Sequence, residues 1–220
     1  MDFKDQVKSI FGSNKTSAVF ENNESDNSDL FTILFVCTAN ISRSAYAEYF
    51  LKSLRYIIDE NSDYSQVKVH SAGTHALTGH DIDHNISRFL NAEAQVHAKS
   101  HKARQQTESI IVTSDLVLTM TTAHRSELLQ QYPKAYSKIF TISEFVAIVG
   151  AVGDLDQFNS REELVLYCHA NRQTGYGSPN VPDPFGHSDH VYTQVVEQIN
   201  SLVEDLARYL NISILADNTK

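Results

Sequence analysis

Leu34-Phe35-Val36-Cys37-Thr38-Ala39-Asn40-Ile41-Ser42-Arg43-Ser44-Ala45-Tyr46-Ala47-Glu48-Tyr49-Phe50-Leu51 decides the fold. Its first three residues close an apolar run, the mark of a buried strand, and the stretch from Ala45 onward reads as a helix. A thiol therefore sits where a strand ends, with an arginine six residues later where a helix begins. Backbone N–H groups of a short loop in that place converge on one point, and the positive end of the helix dipole adds to them. The result is a cradle for a tetrahedral dianion, and it favours thiolate over thiol at Cys37. The planar fork of Arg43 suits two oxygens of such an anion. Cys-x5-Arg alone carries little weight, because a buried strand-end cysteine and a surface arginine produce the same spacing. The strand before it, the helix after it and the Ser44 hydroxyl behind the arginine make it a phosphate site. Thr38, Ala39, Asn40, Ile41, Ser42 and Arg43 would line that site.

Outward from the loop the pattern alternates. Strands are predicted near 30–36, 67–71, 115–119 and 138–142, and helices near 44–59, 82–93, 122–131 and 189–210. Such alternation implies an α/β fold: a doubly wound, four-stranded parallel sheet with helices on both faces, three layers in all. Ligands bind beyond the carboxyl ends of such strands, where Cys37 falls. Residues 1–29 form an N-terminal extension. Phe3, Val7, Ile10 and Phe11 have helical spacing, and the acidic stretch Glu21 to Asp29 reads as a mobile linker. Residues 30–212 make the principal domain and 213–220 a tail. Within the domain 149–182 is an insert. Ser160-Arg161-Glu162-Glu163 predicts a helix near 161–171, followed by a Gly- and Pro-rich loop that runs into Asp183.

The whole chain sets bounds. A net charge of −9 over 220 residues with no basic run argues against nucleic acid. Two cysteines, Cys37 and Cys168, give no disulfide framework, and a required free thiol fits the cytoplasm. No stretch approaches the length of a membrane span, so no membrane insertion is expected. Ten histidines are present, but His80, His84 and His97 have no metal-ligand spacing with a carboxylate. Neither a metal nor another cofactor is expected.

Phe31 to Ser44 resembles the signature loop of the low-molecular-weight protein tyrosine phosphatases. Further pieces follow in the family's order: Ser71-Ala72-Gly73-Thr74 its second strand and turn, His101-Lys102-Ala103-Arg104-Gln105 its central loop, Asp115-Leu116-Val117-Leu118-Thr119-Met120 its third strand, and Asp183-Pro184-Phe185-Gly186 its acid loop. The resemblance implies Cys37 as nucleophile, Arg43 as phosphate clamp and Asp183 as general acid and then base, through a phosphocysteine and without a metal. It makes Ser44 and Asn40 supports of the thiolate and loop, and His101 a brace acting through the asparagine. Phe185, with Leu77 or His75 opposite, would wall in a phenyl ring. The implied substrate is a tyrosine-phosphorylated protein, such as a bacterial tyrosine kinase; the oligomeric state is open. Two alternatives are a single-cysteine, small-thiol-coupled arsenate reductase and a non-catalytic phosphotyrosine-binding module. Retention of Asp183 argues against the first, because reduction needs no leaving-group acid. The chain departs from the family at Ala39, where a Gly is usual, at Ser42, where many relatives have a second Cys, and at Ala45, where Pro is frequent. If position 39 needs a positive φ, Ala there is strained.

Overall fold

Phe31–Cys37 forms strand β1, and its side chains divide by parity. Phe31, Ile33, Phe35 and Cys37 join one buried cluster, while Leu34 and Val36 join another on the opposite face. A strand buried on both faces belongs inside a sheet covered by helices on each side. The computed structural model describes residues 30–55, 67–175 and 177–210. Strands β2 (Val67–Gly73), β3 (Leu116–Thr119) and β4 (Ile139–Thr141) complete a four-stranded, all-parallel sheet in the order β2-β1-β3-β4. The chain leaves β1 toward β2 on one side and later returns to β3 on the other, so the crevice beyond β1 is the switch point of the sheet.

Eight helices connect and flank the strands among the described residues: α1 (Arg43–Arg55), α2 (His84–Ser87), α3 (Ala92–Ala98), α4 (Glu108–Val112), α5 (Thr122–Gln131), α6 (Ile142–Gly150), α7 (Arg161–Ala170) and α8 (Asp189–Tyr209). Tyr46 of α1, Phe145 of α6, Leu164 of α7 and Val203 of α8 enter the first cluster. Ile111 of α4 and Leu128 of α5 enter the second. The layers are those the alternation implies.

Three details differ from the sequence pattern. The single helix expected near 82–93 is two helices, because Asn91 turns its side chain to accept the Ala94 N–H at 2.8 Å and starts α3 afresh. Helix α6 was not expected. Its signal is a capping box in which Thr141 accepts the Glu144 N–H while Glu144 accepts the Thr141 N–H. Helix α4 was also missed, being only five residues long. The expected N-terminal segment 1–29, the end of the helix predicted to residue 59 and the tail 213–220 lie outside the described residues.

The segment read as an insert is built into the molecule. Leu164, Val165 and Cys168 of α7 are core residues, and burial pushes the Cys168 thiol up to about 12. Beyond α7, the Arg172 guanidinium lies over the rings of Tyr136 and Phe140 at 4.4 and 3.9 Å. It donates to Glu144 Oε1 at 3.2 Å and to the Ile139 carbonyl at 2.9 Å. Arg125 pairs with the other Glu144 oxygen, so the carboxylate that caps α6 also anchors the segment leading to Asp183.

Candidate active site

The loop between β1 and α1 is turned inside out by its surroundings. Every carbonyl from Cys37 to Ser42 accepts a donor from outside the loop or from α1: Thr74 N, His75 N, Leu77 N, His101 Nε2, Asp83 N and Tyr46 N in turn. With the carbonyls held outward, the amides face the other way. Among the described residues none of the backbone N–H groups of Thr38 to Arg43 meets an acceptor. These amides form a ring of donors at the N-terminus of the 13-residue helix α1. Gly73 permits the close approach of the second strand, since a Cβ there would lie 2.3 Å from the Thr38 carbonyl oxygen.

Asn40 is the pivot of the loop. Its φ of 57° is left-handed, a conformation Asn tolerates better than most residues, and it is the one such non-glycine among the described residues. Ala39 does not adopt positive φ, so its methyl carries no strain of that kind. The Asn40 carboxamide accepts from Arg104 N at 3.0 Å and donates to Ser44 Oγ at 3.1 Å and Ser71 Oγ at 2.8 Å. Ser71 in turn donates to Glu48 Oε2 at 2.5 Å. With Asn40 donating to it, Ser44 Oγ has its own hydrogen for Cys37 Sγ, 2.9 Å away, the nearer of its two acceptors, the other being the Ala72 carbonyl at 3.5 Å. His101 donates through Nε2 to the Asn40 carbonyl at 2.8 Å. This fixes the tautomer, since a carbonyl can only accept.

Arg43 is 4% exposed at the floor of the mouth. It donates to Asp183 Oδ2 at 2.6 Å and to the Val181 carbonyl at 3.2 Å, leaving Nε–H buried without an acceptor among the described residues. The Asp183 side chain is half exposed. It sits on a turn in which Pro184 C=O accepts His187 N–H at 3.0 Å and Gly186, at φ +77°, takes the left-handed position. Phe185 and Leu77 stand exposed on the rim. His75 is there too, its Nδ1 3.5 Å from Glu127.

Several residues at the site carried no role in the sequence reading: Ser71, Glu48, Arg104, His124, Asp83 and Tyr192. His124 Nε2 lies 2.9 Å from Thr38 Oγ1, and Nδ1 lies 2.9 Å from Thr121 Oγ1. Burial, and then the charge of Arg43, push His124 down to about 4, so the ring is neutral near neutral pH. Thr121 as the N-cap of α5 was the available signal, because it places His124 in the first turn beside the end of β3. Among the described residues no group of three or more His, Cys, Asp or Glu side chains gathers to hold a metal ion.

A buried cysteine beneath a ring of unpaired amides, with one arginine across the mouth, defines a thiol-dependent oxyanion site at the switch point of a doubly wound sheet. Residues 32–157, more than half of the chain, match the family described as low molecular weight phosphotyrosine protein phosphatase. The chain belongs to that family of hydrolases. Among curated relatives, a protein-arginine-phosphatase of Bacillus subtilis (strain 168) is 29% identical over 179 residues, covering 81% of this chain and 95% of the relative. The low molecular weight protein-tyrosine-phosphatase Wzb of Escherichia coli (strain K12) is 36% identical over 107 residues, covering 49% of this chain and 66% of the relative. The crystal structure of a low molecular weight protein tyrosine phosphatase from T. tengcongensis aligns with a TM-score of 0.61 at 26% identity, over 81% of this chain and 98% of that one.

Proposed function

We propose that the chain hydrolyses phosphotyrosine in proteins, and aryl phosphates generally, through a phosphocysteine on Cys37. The observation that supports this best is the outward anchoring of all the loop carbonyls from Cys37 to Ser42, which leaves the amides of Thr38 to Arg43 for the three phosphoryl oxygens. An entering dianion takes the Arg43 fork from Asp183. A carboxyl group beside a bound dianion is favoured in its protonated form, which a general acid requires. Cys37 Sγ then attacks phosphorus as the bond to the aryl oxygen breaks, and Asp183 gives its proton to the departing phenolate. In the second half, Asp183 takes a proton from water as the water oxygen attacks the phosphocysteine. Sulfur leaves as thiolate, held by the Ser44 hydroxyl. The amides and Arg43 stabilise the equatorial charge, so no step calls for a metal ion. Phe185 and Leu77, both exposed, offer apolar surface to a phenyl ring. A free-thiol nucleophile suits a reducing cytoplasm, and a tyrosine-phosphorylated protein, such as a bacterial tyrosine kinase, suits the rim.

A second reading has its own support. The B. subtilis relative that spans 81% of this chain is named a protein-arginine-phosphatase. The same thiol and acid would cleave a phosphorus–nitrogen bond, with Asp183 protonating the guanidine. Initial rates on matched phosphotyrosine and phosphoarginine peptides, with and without EDTA, test both readings. A phosphotyrosine rate well above the phosphoarginine rate, unchanged by EDTA and abolished in Cys37→Ser, is expected. The reverse preference would replace the first reading with the second.

A further inference from the structure

Three segments that meet at the mouth are joined through one tyrosine. Tyr192 lies nine residues after Asp183, in the first turn of α8, and is 2% exposed. Its hydroxyl donates to Asp83 Oδ2 at 2.8 Å, and its own N–H donates to the carbonyl of Ser188, two residues past the acid-loop Gly186, at 3.2 Å. Asp83 donates its own N–H to the Ile41 carbonyl of the phosphate loop at 2.7 Å. Its Oδ1 accepts the Asn85 N–H at 3.1 Å, which fixes the carboxylate at the start of α2. A hydrogen-bonded path thus runs from Ser188, at the end of the acid loop, through Tyr192 and Asp83 to Ile41. Burial, with Asp83 beside it, pushes the phenol up to about 12, so it remains a donor at any working pH.

The path matters because, downstream of Asp183, the remaining side-chain ties are conditional, internal or, like the Arg88–Asp189 pair at 2.8 Å, exposed to water. The Asp183–Arg43 pair links the two loops directly, but it is the contact that a bound dianion displaces. Asp183 Oδ1 with Phe185 N–H, and Pro184 C=O with His187 N–H, hold the turn in shape without fixing it to the rest of the site. Upstream, Val181 is held by its N–H on the Met120 carbonyl. Downstream, the Tyr192 path persists when Arg43 turns to phosphate.

We propose that Tyr192, acting through Asp83, is a positioning residue that holds Asp183 at the height of the leaving atom once Arg43 is engaged by the anion; this rests on Asp183 being the general acid. Loosening the path moves the acid relative to the leaving oxygen and leaves the phosphate loop intact. The cost then falls on substrates that need a proton and spares those that do not.

The test measures kcat/KM of the full chain on aryl phosphates from phenyl phosphate to 2,4-dinitrophenyl phosphate, beside inhibition by inorganic phosphate. Tyr192→Phe and Asp83→Ala should each lower kcat/KM about tenfold for phenyl phosphate and less than about twofold for the dinitrophenyl ester. The double variant should be no worse than either single one, and the phosphate inhibition constant should hold. Equal slowing of all esters, no slowing, or singles that multiply in the double variant would each overturn the inference. If Tyr192→Phe does not fold, Asp83→Ala carries the same reading. Asp183→Asn separates the two levels. If it lacks leaving-group dependence, the acid assignment fails and this inference with it. If it shows the dependence and Tyr192→Phe does not, the inference alone fails.

Discussion

Replacing Asn40 separates what the backbone of the phosphate loop requires from what the side chain does for the thiol. The residue is fully buried, its φ is 57°, and its carboxamide makes three hydrogen bonds, with Arg104 N, Ser44 Oγ and Ser71 Oγ. Asn40→Gly keeps the left-handed backbone and deletes the side-chain bonds. At about 1 kcal/mol net for each, stability falls by about 3 kcal/mol. Asn40→Ala deletes the same bonds and adds the left-handed penalty, a further loss of about 1 kcal/mol. Asn40→Asp keeps the backbone and the acceptor facing Arg104, but replaces the donor facing the two serines with a second acceptor. Ser71 commits its hydrogen to Glu48, so Ser44 turns its hydroxyl to the new carboxylate and away from Cys37 Sγ. A hydrogen bond to a charged group is worth about 2 kcal/mol, which corresponds to about a thirtyfold fall in thiolate population and in the rate of Cys37 alkylation by iodoacetamide at mildly acidic pH. Urea unfolding gives the stabilities and loss of free thiol gives the rates. Equal stability of the Gly and Ala variants would refute the backbone argument. Alkylation of the Asp variant at the wild-type rate would refute the directional relay.

Two further outcomes are expected. His124 is held down to about 4 by burial and Arg43, while the unfolded chain protonates near 6.5. The unfolded state therefore binds more protons between those values, and stability falls as pH drops through that window, by about 3 kcal/mol for His124. His70, also lowered to about 4 by burial and then Arg104, adds to the fall. His124→Gln, compared with wild type in urea at pH 7.5 and 4.5, should lose visibly less on acidification, and equal losses would count against the argument. Arg172→Ala leaves the buried Glu144 with only Arg125 and strips the cation from two rings, so it should destabilise by about 3 kcal/mol in urea unfolding. A loss below about 1 kcal/mol would mean that Arg172 does not secure the segment.

The parts of this molecule that local chemistry controls were legible in the sequence. The parity of β1, the cysteine at its end and the arginine at the helix start are dictated within one short stretch, and from them the layered fold follows. Asn40 could be singled out because left-handed backbone restricts the residue type. The residues that hold the loop could not. Ser71, Arg104 and Asp83 reach it from 31, 64 and 42 positions away, and nothing in their own neighbourhoods announces the contact. Helix α6 was missed although Thr141 and Glu144 spell a capping box, because the apolar run behind them reads equally well as strand. The stretch 82–93 reads as one helix because the competing cap at Asn91 wins by a single side-chain bond, below the resolution of periodicity. The phosphoarginine class was invisible for another reason: the cysteine loop reads the phosphoryl group, and that group is the same in both substrates.

Discrimination between the two substrate classes therefore has to occur on the leaving-group side, outside the amide ring. Phe185, which is 60% exposed, can stack on a phenyl ring or on a guanidinium plane, so the aromatic wall by itself does not select. The difference is in hydrogen bonding. A phenol leaves through one oxygen, which Asp183 serves. A guanidine brings additional N–H groups, each needing an acceptor once water is displaced, at about 1–3 kcal/mol for each one left unpaired. His75 and Leu77 are stitched to the phosphate loop by their backbone N–H groups, and both side chains are exposed beside it. Leu77 contributes no acceptor, the carbonyls of the loop beneath it are already engaged outward, and the carboxylate beside this wall, Glu127, lies against His75 at 3.5 Å. Asp183 cannot serve as a charged acceptor while it carries the proton for the leaving group. On this rim the aryl ester loses less hydrogen bonding than the phosphoguanidine does, which is the physical ground for expecting phosphotyrosine to be the faster of the two peptides.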